Sequence, residues 1–197
     1  MSEKTEVGTR ETVSSLLARN YRIAHDRVLK VVDDLSTEQF DRPLHKAVHS
    51  IGWQLWHIAR WDDRFCEVLV EKLPEAVGGH RTPSQIWNAE ALTERWGLPA
   101  GTMGARDTGT SMDDEAAEQM RLPGKDAVVD YARRVFAVLD ELIGSISDEL
   151  LVSALPGDPD RESAGQNVMY YLDHVNRHLG MIEAMKGLQG VEGSATR

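Results

Sequence analysis

The chain has 197 residues, 41% hydrophobic and 27% charged, with a formal net charge of −10, enough for one domain with a sizeable core. An acidic balance with no Lys/Arg cluster excludes a nucleic-acid partner and docking on anionic membrane surfaces. No apolar run approaches the roughly 18 residues of a transmembrane helix, the opening MSEKTEVGTRE lacks a signal-peptide pattern, and the lone Cys66 allows no internal disulfide. The expectation is a soluble, cytoplasmic, single domain over 1–197, with a homodimer left open.

Taken in order, the first apolar stripe is Val13, Leu17, Tyr21, Ala24, Val28, Val31 and Leu35, a helical face. Ser36 with Gln39 then forms a capping box for a short turn. A second helix is predicted over about 48–72, with Ile51, Leu55, Ile58, Phe65 and Leu69 on one stripe, and a third over about 125–147, after Pro123 and Gly124. The fourth begins at a second capping box, Ser163 with Gln166, and ends near Gly187 or Gly190. No segment alternates at period two. Four helices with one apolar stripe each bury those stripes against one another, so the predicted fold is all-α, a four-helix bundle. Between helices two and three lies a long crossover, 73–124, in which SQIWNAEALTERWG (84–97) reads as a helix capped by Ser84 and MDDEAAEQM (112–120) as a shorter acidic one. A connection that long in a compact domain carries function or is disordered; it is expected to act as a lid over one end of the bundle. The last residues, 191–197, read as a flexible tail.

Helix four contains HVNRHLG, with His174 and His178 one turn apart on one face. Such a pair directs two ring nitrogens at a common point, the geometry that holds a divalent metal, and a third ligand must come from elsewhere. His57, in the interior of WQLWHIARWDD on helix two, is the best candidate, because an imidazole among Trp53, Trp56 and Trp61 is costly to bury unpaired. The alternative is a hydrogen-bonded core histidine. His45 and His49, also four apart, read as a solvated entry loop, His25 and His80 lack a partner at ligand spacing, and Cys66 reads as buried filler.

The two motifs, WQLWHIARWDD followed by HVNRHLG, and the long second crossover resemble the DinB-like superfamily along the whole chain. That superfamily contains mycothiol-dependent maleylpyruvate isomerases and bacillithiol- or mycothiol-dependent S-transferases. The resemblance implies a four-helix bundle in which His57, His174 and His178 bind one divalent metal, zinc first, with nickel, iron or cobalt as alternatives. It also implies a low-molecular-weight thiol such as mycothiol as co-substrate, activated and added to an electrophilic small molecule. The adduct is then retained as a conjugate or collapses to an isomer. Isomerase relatives often carry a further C-terminal domain, which leans this chain toward a compact S-transferase. Other readings are a non-catalytic, stress-associated metal-binding protein and a non-haem iron enzyme that uses oxygen.

Three neutral imidazoles leave a divalent ion its charge and an open coordination position, where the pKa of bound water or thiol is lowered. Helical phase places Trp53, Trp61 and Arg64 on the face of His57, and Asn167, Tyr170, Tyr171, Met181 and Met185 beside the helix-four pair. Trp53, Trp61 and Asn167 are therefore candidate binding residues, and Arg64, Asp62 and Tyr171 candidate catalytic ones. Arg64, or Arg60 at the edge of that face, is suited to grip a carboxylate. Asp62 lies on the core stripe of helix two and needs a partner, either a ligand imidazole that it orients or a charged residue in an ion pair. No phosphate cradle or dinucleotide fingerprint is present.

Overall fold

The computed structural model describes residues 11–45, 48–77, 84–157 and 162–194. Among them the regular structure is helical, with only isolated β-bridges such as His45 to Val48: an all-α protein. Four long helices dominate, α1 (Val13–Asp33), α3 (Ile51–Lys72), α7 (Lys125–Ser145) and α9 (Ala164–Leu188). Between them come α2 (Thr37–Asp41), α4 (Ile86–Ala89), α5 (Leu92–Arg95), α6 (Asp114–Gln119) and α8 (Asp148–Val152).

Side-chain caps start α1, α2, α3 and α9, whereas α7 begins at Gly124 without one. Ser36 with Gln39 and Ser163 with Gln166 both form complete capping boxes, and the side chains of Thr12 and Ser50 accept from Ser15 N and Trp53 N; each such cap stabilises its helix by about 1 kcal/mol. Helices α1 and α3 each pack along both α7 and α9, which turns their apolar stripes to one shared core. Tyr21, Val28, Ile58, Phe65, Leu139 and Val175 are buried there. Polar ties add to this core, one inside it and one at its edge. The Tyr21 hydroxyl donates to Val168 O at 2.8 Å, and Lys125 Nζ donates to Asp33 O and Leu35 O at 2.6 and 2.7 Å at the end of α1.

The crossover departs from the expected pattern. Residues 84–97 are not one helix capped by Ser84. They form α4 and α5, broken at Ala91, whose φ is 49°. The N-terminal amides of α4 are satisfied from another element: Asp63 of α3 accepts from Ile86 N and Trp87 N, each at 2.9 Å. Ser84 Oγ lies 3.4 Å from Gln85 O and caps nothing. Trp87, 1% exposed, packs edge-on to Trp56, Tyr131 and Trp96, so the crossover is fastened over α3 and α7 by aromatic contacts. The acidic helix α6 forms as expected, capped by Asp113. At the C-terminus, Val191 packs against the core and its N–H donates to Lys186 O at 3.3 Å; the tail thus begins by folding back on α9, and 195–197 lie outside the described residues. No described helix is long and apolar enough to cross a membrane.

Candidate metal centre

His57 is in the middle of α3, and His174 and His178 are one turn apart on α9. Packing α3 on α9 brings the three together. One ring nitrogen of each lies within 4.8 Å of the other two, and His57 Nε2 and His174 Nε2 are 3.1 Å apart. Two nitrogens each about 2.0–2.1 Å from one ion lie about 2.9 Å apart at a right angle and about 3.4 Å apart at a tetrahedral angle. The observed His57–His174 spacing falls between, so this pair already stands at the separation that a first-row divalent ion requires. Among the described residues no carboxylate or thiolate joins the group.

The far nitrogens of two rings are held. His57 Nδ1–H donates to the Thr108 carbonyl at 2.5 Å and His178 Nδ1–H donates to Gln54 Oε1 at 2.6 Å. A neutral imidazole protonated at Nδ1 keeps its lone pair at Nε2, so these contacts select the metal-binding tautomer. Nδ1 of His174 is buried with no partner. Burial lowers all three pKa values, His57 to about 4 and His174 and His178 to about 3, assisted by the neighbouring imidazoles and Arg177. All three rings are therefore neutral at pH 7 and open to an electrophile.

The surrounding wall is aromatic. Trp53 is stacked between His57 (4.8 Å) and His49 (3.9 Å), and Trp61 meets His174 edge-on at 6.3 Å. Trp61 Nε1 donates to Thr110 Oγ1 at 3.0 Å. Tyr171 stacks on Phe65 at 4.0 Å, and burial pushes its hydroxyl up to about 12. Beyond Trp53 lies a cavity of about 290 Å³ whose lining includes Asp41, His49, Trp53, Asp114, Glu118 and Met120.

None of the other sequence candidates hydrogen-bonds to the three imidazoles among the described residues. Asp62, 0% exposed, orients none of the three imidazoles; its Oδ2 pairs with His25 Nε2 at 3.1 Å, on the side of α3 that meets α1. The orienting groups are Thr108 and Gln54, which the sequence reading missed. Gln54 precedes His57 by three residues and so shares its face, a signal present in the sequence; the Thr108 carbonyl has no such signal. Arg60 is buried and its guanidinium is committed to Asp107 O, Asp63, Tyr131 and Gln85. Arg64 stands at the edge of α3, 3.7 Å from Glu67. Asn167 is on the first turn of α9, donating to Ser163 O at 3.2 Å. His45 is exposed in the segment before α3, as expected, whereas His49 is half-buried against Trp53. His80 lies outside the described residues, and Cys66 is buried.

Fold and site together define an all-α protein with a candidate three-histidine metal centre. The DinB superfamily model matches residues 20–182, and the chain belongs to that superfamily. A crystal structure of the conserved protein of a locus from Enterococcus faecalis is similar with a TM-score of 0.70, covering 90% of this chain and 96% of that one at 17% identity. That likeness is one of fold. No curated protein matches the chain at comparable significance.

Proposed function

We propose that the four long helices form a four-helix bundle with a long second crossover, and that the protein is a metal-dependent enzyme. Its substrates are a low-molecular-weight thiol such as mycothiol and an electrophilic small molecule, which it joins by S-transfer or isomerises with thiol assistance. The observation that carries this reading is the convergence of three neutral imidazoles with no fourth side-chain ligand among the described residues. A closed structural site takes four protein ligands, whereas three leave a position for a reactant. Zinc suits an all-imidazole set, and nickel, iron and cobalt share that preference.

When bound, a divalent ion supplies Lewis acidity and lowers the pKa of a coordinated thiol or water toward neutrality. The chain's own residues do the rest. Thr108 and Gln54 hold two imidazoles in the ligating tautomer. Trp53 and Trp61 exclude water from two sides, and the Trp53 indole N–H, buried with no partner, is a donor left for a bound molecule. Tyr171 keeps its proton at any physiological pH, so its hydroxyl donates a hydrogen bond rather than acting as a base. Arg64, only loosely tied to Glu67, is free to swing to a carboxylate. The cavity beside Trp53 is of the size that takes a small organic group. Asp62, committed to His25, takes no part in the chemistry.

The test is product analysis by mass spectrometry after incubating metal-loaded protein with mycothiol or another low-molecular-weight thiol and a panel of electrophiles. Metal-dependent, saturable conjugate or isomer formation is expected. Equal rates for metal-free and metal-loaded protein would leave a non-catalytic metal-binding protein as the better reading.

A further inference from the structure

We infer that the tight loop Gly104–Ser111 is a working part of the metal centre: the Thr108 carbonyl is a positioning group for His57, and loop docking and metal occupancy are linked, each strengthening the other. The inference rests on the metal reading above.

The loop is held in a conformation that its sequence does not favour. Gly104, Arg106, Asp107, Gly109 and Ser111 all have positive φ, at 72°, 57°, 54°, 87° and 55°, and three of these are not glycine. Backbone of this kind persists only where the surroundings over-determine it, and such strain concentrates at functional sites. Beyond the loop's own hydrogen bonds, much of the restraint comes from one helix. Four consecutive loop residues, 107–110, are gripped by side chains of α3. Arg60 Nε donates to Asp107 O at 2.9 Å, His57 Nδ1 to Thr108 O at 2.5 Å, and Trp61 Nε1 to Thr110 Oγ1 at 3.0 Å. Gly109 sits so close to the helix that a Cβ would meet the Trp53 ring at 2.5 Å and the Trp56 ring at 2.9 Å.

His57 is the shared member of both sets, with one nitrogen on the loop and the other facing His174. An ion that takes the Nε2 lone pair requires the ring to stay in this orientation, which the docked loop enforces. The factor by which docking raises metal affinity must then equal the factor by which the metal favours docking.

Two measurements test this. Hydrogen exchange is followed in wild-type protein loaded with Zn²⁺ and after chelation, reading the loop amides of Ala105, Gly109 and Met112, which are bonded to Thr110 O, Met103 O and Gly109 O. Those amides are expected to exchange more slowly in the loaded protein, with the middle of α7 unchanged. Chelator competition then gives Zn²⁺ affinity for Gly109→Ala and for the milder Thr110→Val. The first is expected to weaken binding roughly 10–100-fold, the range for losing a hydrogen-bond partner of a metal ligand, and the second less, both at unchanged stoichiometry. If Gly109→Ala does not fold, Thr110→Val and the wild-type exchange decide. Zn²⁺ binding with identical loop exchange in both states and wild-type affinity in the folded variants overturns the linkage while the metal reading stands. A wild-type protein that binds no divalent ion overturns the metal reading itself.

Discussion

Helix α3 takes part in two buried histidine sites, one built of neutral imidazoles and the other around a charged one. Toward α9 it contributes His57 to a cluster of three imidazoles that no carboxylate joins among the described residues. Toward α1 and α7 it contributes Asp62, about 140° round the helix from His57, to a chain in which His25 Nε2 meets Asp62 at 3.1 Å and His25 Nδ1 meets Asp140 at 2.9 Å. Burial alone would lower the His25 pKa as it does the others, but hydrogen bonds to Asp140 and Asp62 raise it to about 9. His25 is thus an imidazolium with both nitrogens protonated, stacked on Phe136 at 3.9 Å. It has no lone pair to give. Burial therefore does not mark a histidine as a metal ligand; the presence or absence of carboxylates around it decides between ligand and ion-pair partner.

The largest effects should separate the sites. His178→Ala or His57→Ala should remove the metal, read by elemental analysis, with helical circular dichroism retained. His25→Ala should do the reverse. Its metal content should stay at wild type while stability falls by roughly 3–5 kcal/mol, because two buried or half-buried carboxylates lose their counter-charge. Loss of metal in His25→Ala with unchanged stability would reverse the assignment of the two sites.

Next comes pH, where the sites act on opposite limbs. His25 has a folded pKa near 9 against about 6.5 unfolded. Its contribution is complete below about 6.5 and is lost as pH rises through about 9. The three ligand candidates have folded values of about 3 to 4, so below about 6.5 the unfolded chain takes up protons that the folded chain refuses. Metal-free protein should then lose stability as pH falls from about 6.5 toward 4. Denaturant midpoints against pH should show both limbs, with His25→Asn flattening the alkaline limb and His178→Asn softening the acid one.

Smaller again is the effect of support. Gln54→Leu should leave the fold intact and weaken metal binding roughly tenfold or more by chelator competition, since His178 loses the acceptor that fixes its tautomer. Gln54→Glu should retain or strengthen binding. Equal affinities in both variants would show that Gln54 merely fills space.

The sequence made one of the two sites legible and half-concealed the other. His174 and His178 announce themselves by helical spacing, and His57 by its place in a tryptophan-rich helix; the long helices and both capping boxes follow from local pattern. Asp62 was visible only as a carboxylate in need of a partner, because His25 and Asp140 lie 37 and 78 residues away and no local rule pairs them. The same reason hides the crossover: the cap of α4 comes from Asp63 and the acceptor for His57 is a backbone carbonyl, which every residue has. Helix α8 went unread although Ser147 caps it, because five residues with a single fully buried side chain make no periodic signal.

The smallest expected effect lies at the rim, where α3 carries two arginines one turn apart. Arg60 is 1% exposed and each of its three guanidinium nitrogens is hydrogen-bonded inside the protein, so it is not available to a substrate. The Arg64 side chain is 25% exposed and pairs with Glu67 at 3.7 Å, a contact of the kind that contributes under about 1 kcal/mol. Arg64→Ala should therefore shift stability by no more than about 0.5 kcal/mol and leave both metal content and the His25 limb of the pH profile unchanged. With a carboxylated electrophile it should raise KM while kcat holds, the pattern of lost uniform binding, and Arg64→Lys should recover only part of the loss because an ammonium does not match the two carboxylate oxygens as a guanidinium does. With an uncharged electrophile the same substitution should change nothing. If the carboxylated and uncharged substrates respond alike to Arg64→Ala, the guanidinium is only a partner of Glu67 at the edge of α3 and takes no part in choosing between substrates.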